Sequence, residues 1–297
     1  MKLLAHYQQG ASQSRRQIVN WRENYLNDLF FYSLRSTRYD RDSYPSAPHW
    51  HDYYELVVFE EGEIQYLCEG RMLLPRCGDV VLIPPHRVHM SRIAADETLY
   101  TRHVFYLYPN AFEGLGCGEL TGFLTAQGDE GRLLTVGAQG AQALLSLLYR
   151  LDDALQGEQD ARTHALCLGL TLEIFYLLSG ARPRENAGSG CLPENAMRIQ
   201  RYIGEHFAEI RSVSDVAAHF FYSREYVSRL FRQCFNTSPG DYLLKCRVAH
   251  SQSLISQGVS LSDACYQSGF GSMSTFIRAF RALTGRTPSQ YRAESPE

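Results

Sequence analysis

The sequence predicts an α+β chain, with a small β-barrel or sandwich and packed helices in front and an all-α domain with two helix-turn-helix units behind. Three observations predict it. Between residues 49 and 90, short runs rich in valine, isoleucine, tyrosine and phenylalanine are broken by glycine-containing turns, the pattern of antiparallel strands. From 141 to 178 apolar residues recur with a helical period. In the last third, Phe221, Ser223, Arg229, Phe231, Arg232, Pro239 and Tyr242 reappear 49 positions later, type for type, as Phe270, Ser272, Arg278, Phe280, Arg281, Pro288 and Tyr291. A repeat at unbroken spacing predicts one structural unit used twice.

In chain order, strands are expected at Tyr54 to Phe59, Ile64 to Cys68 and Val80 to Pro84. His49, His51, Glu55 and His89 stand around them. Side chains two apart share a strand face, so His49 and His51 are expected together, with Glu55 able to join them and Trp50 pointing the other way. Three imidazoles and a carboxylate suit zinc, iron, nickel or manganese, and they equally suit hydrogen bonds to a small polar ligand. A purely structural role is the third reading, and it is the one given to His86 and His103. Trp50, Tyr53, Tyr54, Tyr66 and Tyr106 most simply fill a core. The spacing His49-x-His51-x3-Glu55-x6-Gly62, then Gly78-x5-Pro84-x4-His89, resembles the two motifs of the cupin superfamily. That resemblance implies a cupin-like β-barrel in which these four residues converge on a divalent metal. Ser43, His86 and Ile93 depart from it, standing where the motifs carry Gly, Gly and Asn.

Two helices follow, Ala141 to Gln156 and Asp160 to Leu178, the first with an apolar stripe at Leu144, Leu147, Leu148, Leu151 and Leu155. They are expected to pack on the barrel, and either within one chain or also on a second subunit. Arg162, His164 and Glu173 interrupt the longest apolar stretch, which argues against a membrane span. Ala181 to Glu194 has no periodicity and reads as an exposed linker.

In the repeated region, Ser223 and Ser272 each precede a helical run and are expected to cap it. The buried stripes are Val227, Leu230, Phe231 and Cys234 in one copy, and Phe276, Ala279, Phe280 and Leu283 in the other. Asn236 and Gly285 suit the left-handed turn that ends each helix. The opposite faces carry Glu225, Ser228, Arg229 and Arg232, then Ser274, Ile277, Arg278 and Arg281. Shorter amphipathic segments, Val213 to Phe220 and Leu261 to Ser268, complete two helix-turn-helix motifs, whose second helix is the one that enters a major groove. Arg229 and Arg278 are the expected base readers, and Arg232 and Arg281 suit either bases or phosphates. Charge agrees: Ser212 to Arg292 holds nine Lys plus Arg against four Asp plus Glu, a net of +5 in a chain whose total is -3.

Val213 to Arg292 resembles the DNA-binding domain of the AraC/XylS family of bacterial transcription regulators. The matching residues are Ser223, Arg229, Phe231, Asn236, Tyr242, Arg247, Gly269, Phe270, Phe276, Phe280, Gly285, Pro288, Tyr291 and Arg292. Asn236, Ser251 and Ala264 stand where Gly, Ala and a larger aliphatic residue are usual. The resemblance implies one long helix, Pro239 to Gln257, bridging the two motifs on double-stranded DNA. It also implies an effector pocket in the barrel lined by one or two of the aromatic residues, a homodimer, and contact with RNA polymerase. The expected division is a sensing domain at 1 to 180, with a helical dimerisation segment at about 137 to 180, a linker at 181 to 194 and the paired motifs at 195 to 297.

The leading expectation is a regulator, and by family habit an activator, controlled by a small molecule such as a sugar. The alternative is a metal-dependent cupin enzyme, a dioxygenase or sugar isomerase, carrying a DNA-binding tail. No nucleophilic triad or phosphate-binding loop is recognisable. The eight cysteines show no Cys-x-x-Cys spacing and the N-terminal segment has no apolar core, as expected of a cytoplasmic protein.

Overall fold

The computed structural model describes residues 17–27, 30–39, 48–68, 71–93, 98–108, 110–126, 130–158, 160–185 and 192–294. Ser43, the N-terminal segment read for a signal, and residues 186–191 of the expected linker lie outside them. The described residues hold ten strands: β1 (Gln17–Asn27), β2 (Phe30–Tyr39), β3 (Tyr54–Glu61), β4 (Ile64–Cys68), β5 (Arg71–Leu73), β6 (Val80–Ile83), β7 (His89–Ile93), β8 (Thr98–Leu107), β9 (Arg132–Thr135) and the short β10 (Arg182–Pro183). They form a seven-stranded sheet in the order β1-β2-β8-β3-β6-β9-β10 and a three-stranded sheet in the order β5-β4-β7. Every pairing is antiparallel.

The larger sheet is covered on both faces, which explains the uninterrupted apolar runs in β3 and β6. Val57, Phe59, Val81, Ile83, Val104 and Tyr106 point between the sheets and meet Ile64, Tyr66 and Ile93 there. Their neighbours Leu56, Val58, Leu82 and Phe105 point the other way, onto helices α2 (Gly137–Gln156) and α3 (Ala161–Ser179), which follow the one-turn helix α1 (Gly122–Thr125). All five leucines expected on the inner stripe of α2 are buried. Asp160 caps α3, its carboxylate accepting from the Thr163 amide at 2.7 Å. By length and composition α3 is apolar enough to cross a membrane. In the fold it buries Cys167, Leu170, Ile174, Phe175 and Leu178 against the sheet and α2.

On that same side His103 is fully buried, as its structural reading requires. Its Nδ1 is 2.9 Å from the Tyr32 hydroxyl and its Nε2 3.3 Å from Glu60 Oε2. The adjoining His103, with a hydrogen bond from the Tyr149 hydroxyl, holds the Glu60 carboxyl below its ordinary value. A depressed folded-state pKa stabilises the fold above the unfolded carboxyl's range, and the contribution disappears as pH falls through the lower folded value. Glu60→Gln is therefore expected to flatten the loss of thermal stability on acidification below about pH 4.3, read as melting temperature against pH.

The expected linker begins as part of the barrel: Arg182 and Pro183 pair with β9, and Arg184 Nη2 lies 2.7 Å from Asp79 Oδ2. The remaining helices are α4 (Glu194–His206), α5 (Val213–His219), α6 (Arg224–Phe235), α7 (Pro239–Ser256), α8 (Leu261–Gln267), α9 (Met273–Thr284) and α10 (Pro288–Glu294). α7 is the expected bridge. Its Tyr242, Cys246 and Ala249 lie in the first unit's core, with Phe231 and Phe235, and its Val248 and Ile255 in the second's, with Phe276 and Phe280.

Candidate nucleic-acid interface and ligand pocket

Both expected reading helices form between their expected caps. Ser223 Oγ accepts from the Tyr226 amide at 3.1 Å, and α6 ends at Asn236 in the left-handed region, φ 49°. Ser272 Oγ accepts from the Thr275 amide at 3.4 Å, and α9 ends at Gly285 with φ 75°. Val227, Phe231 and Phe235 of α6, and Phe276, Ala279 and Phe280 of α9, face inward. Seven of the eight expected reading residues, Glu225, Arg229, Arg232, Ser274, Ile277, Arg278 and Arg281, are exposed, and Ser228 is half-buried. A surface depression of about 470 Å³ on α6 adds Arg224 and Gln233 to this face. Gln233 lies one helical turn beyond Arg229, a spacing that could have flagged it. Removing the cap with Ser223→Ala is expected to cost about 1 kcal/mol of stability, measurable by denaturant titration.

The repeat is less regular in space than in sequence. α9 begins 49 positions after α6, but α8 begins 48 after α5, so the second turn is one residue longer. Phe221 and Phe270 consequently do not correspond: Phe221 is 96% exposed and Phe270 3%. The counterpart of Phe221 is Gly269, and both occupy the left-handed region, at φ 58° and 79°. That backbone is open to glycine and costs phenylalanine on the order of 1 to 3 kcal/mol. At Gly269 a Cβ would stand 2.5 Å from the Ala208 carbonyl oxygen, so only glycine fits the second turn.

In the barrel, the four expected pocket residues do converge, though by a different route. His49 to Tyr53 is a bent segment outside the named strands, and His49 makes only an isolated bridge to His89. The bend, rather than strand alternation, brings His51 Nε2 to 3.0 Å from Glu55 Oε2. His89 Nε2 lies 3.2 Å from the same oxygen and, fully buried, makes no hydrogen bond. Ligand atoms of His49, Glu55 and His89 lie within 4.8 Å of one another, with His51 just behind Glu55. Burial alone would raise the Glu55 carboxyl, but the adjoining His51 and His89 outweigh it and hold it well below its ordinary range. Burial also lowers His51, against the opposing pull of Glu55.

The imidazoles are oriented from behind. His51 Nδ1 is 2.8 Å from the Tyr53 carbonyl and His89 Nδ1 2.8 Å from the Arg87 carbonyl, so each Nδ1 must carry the proton. Tyr53 stacks on His51 at 4.1 Å, and Tyr106 stands 6.1 Å from it. Tyr66 lies deeper in the same core, whereas Tyr54 faces α2 and α3. Trp50 points away from the histidine cluster as expected, though on a bent segment and not on the strand that the expectation assumed, and donates to Gln252 Oε1 in α7. His86 is half-buried at φ 61°, and desolvation holds its pKa down to about 4.

Two family models match the chain: an AraC-like ligand binding domain over residues 32–169 and a helix-turn-helix domain over residues 216–294. The chain is 25% identical over 249 residues to the HTH-type transcriptional activator RhaS of Enterobacter sp. (strain 638), covering 82% of this chain and 86% of that one. It is 25% identical over 256 residues to the uncharacterized HTH-type transcriptional regulator YijO of Escherichia coli (strain K12), covering 84% of each. Among solved structures, it resembles the C-terminal domain of AraT, a response regulator from Geobacillus stearothermophilus, at 26% identity over 35% of this chain and 88% of that one, with a TM-score of 0.34. Both relatives are named as transcriptional regulators rather than enzymes.

Proposed function

Since this chain belongs to the AraC family of helix-turn-helix transcriptional regulators and carries that family's ligand-binding domain, we propose that α6 and α9 read double-stranded DNA in successive major-groove segments. Glu225, Ser228, Arg229 and Arg232 serve one segment, and Ser274, Ile277, Arg278 and Arg281 the other. The observation that carries this reading is the pair of capped helices, with three exposed arginines on the outer face of α6 and two on that of α9. A guanidinium fork matches the two acceptors of guanine, and the net positive charge of this region draws phosphate. Selection of sites from a random DNA pool tests it: two short boxes roughly 10 base pairs apart are expected, and enrichment of a single box would sink the paired reading.

The division proposed is a sensing domain at 1 to 180, a linker at 181 to 194 whose residues 182 to 184 are tied back to the barrel, and the DNA-binding half at 195 to 297. The cluster at His49, His51, Glu55 and His89 holds a small polar effector, a sugar being one class suited to its donors and to the flanking Tyr53 and Tyr106. Effector binding shifts the balance between arrangements of the protein on DNA, and the outcome is activation through RNA polymerase in the cytoplasm. A homodimer forms through α3, whose outer face exposes Leu166 (49%) and Tyr176 (69%).

One observation favours a metal in the same pocket. With both Nδ1 protons directed at backbone carbonyls, the Nε2 lone pairs of His51 and His89 face a carboxylate oxygen at 3.0 and 3.2 Å, an arrangement that calls for a further proton or a cation. His49, Glu55 and His89 would hold the ion, and it would supply a Lewis-acid contact for an effector oxygen. Zinc titrated calorimetrically is expected to bind the wild type and to bind His89→Ala about tenfold or more weakly. Equal uptake by both proteins would remove the metal from this reading.

A further inference from the structure

The residues that form the pocket alternate along the chain with residues that hold the DNA-binding half. Trp50 lies between His49 and His51, and Val88 and Met90 flank His89. The Trp50 indole donates to Gln252 of α7, and its ring packs against the cores of both helix-turn-helix units. Beside it, Lys245 Nζ of α7 donates to the Pro48 carbonyl at 2.7 Å. Val88, Met90 and Leu67 are buried in one cluster with Ile199, Phe231 and Tyr242. The sensing half thus grips the one helix that both units share. It does so away from the reading faces, because Arg229, Arg232, Arg278 and Arg281 remain exposed.

We propose that Pro48, Trp50, Val88 and Met90 form a clasp on α7 that sets how the two reading helices are placed relative to each other, and that occupancy of the histidine pocket resets it. The device adjusts orientation and does not shield the DNA face. It rests on reading the pocket as a ligand site. Its physical basis is short: adjacent Cα atoms are held about 3.8 Å apart, so a ligand that shifts the backbone at His49, His51 or His89 shifts the neighbouring clasp residue with it. Trp50, Val88 and Met90 sit in packed cores that answer by switching between discrete arrangements rather than by yielding gradually.

The test uses full-length protein and duplexes carrying the two selected boxes at a graded series of spacings. Wild type, Trp50→Phe and Gln252→Ala are titrated on each duplex with and without zinc, and calorimetry reports zinc uptake separately. Trp50→Phe keeps an aromatic ring in the core while removing the indole N–H. Wild type is expected to discriminate among spacings and to change its profile by about fivefold or more with zinc. Both variants are expected to show a flatter profile that zinc leaves alone, with zinc uptake unchanged. A flatter variant profile with no zinc uptake by any protein would retain the clasp and remove the metal. Variant profiles identical to wild type, or a zinc response of the same size in all three proteins, would overturn the clasp.

Discussion

Phe280→Ala is expected to lower the stability of the DNA-binding half by about 3 to 5 kcal/mol and to abolish binding at both boxes. Phe280 is fully buried, and its ring meets Phe276 and Tyr291 edge-on, each at 5.6 Å between centroids. The cluster around it is small, with nine buried residues, so truncation leaves a cavity that few neighbours can move to fill. Phe231 holds the equivalent place in the first unit, 4.5 Å from Phe235 and 5.4 Å from Tyr242, and Phe231→Ala should behave alike. Denaturant titration checks both. A loss under about 1 kcal/mol would mean that α9 is not anchored by this ring.

Arg278→Ala is expected to weaken binding to the selected site by about 1 to 3 kcal/mol and to relax preference at one base position. The side chain is exposed on α9, and Ser272, the cap, sets where that helix begins. Arg281, one turn further along, is a candidate phosphate contact. Arg281→Ala should then weaken all sequences about equally and lower the salt slope by about one counterion. Anisotropy titrations at several salt concentrations separate the two behaviours. If Arg278→Ala lost affinity equally for selected and scrambled DNA, Arg278 would be a phosphate contact and not a base reader.

The legible parts of this fold were those set by neighbours in sequence. Ser223 and Ser272 cap, Asn236 and Gly285 terminate, and the leucines of α2 turn inward, because each outcome depends on residues within one or two turns. The pocket histidines were legible by type, but the bend that joins them was not. β8 was missed because both its faces are buried: Arg102 and His103 sit among Val104, Phe105 and Tyr106 with no alternation to read. The longer second turn was obscured by Phe221 and Phe270, a coincidence of letters at different places in space. The bond between Trp50 and Gln252 spans 202 residues and has no local signature at all.

The shared helix has a consequence for how the molecule fails. Tyr242, Cys246 and Ala249 belong to one core and Val248 and Ile255 to the next, so no cut through α7 yields two intact halves. Thermal opening of either reader withdraws support from the other, and the pair should melt in one cooperative step. A cell carrying a destabilised variant would then hold fewer competent molecules rather than many that recognise half an operator. Damage would be felt as lowered dosage, with the choice of promoters unchanged.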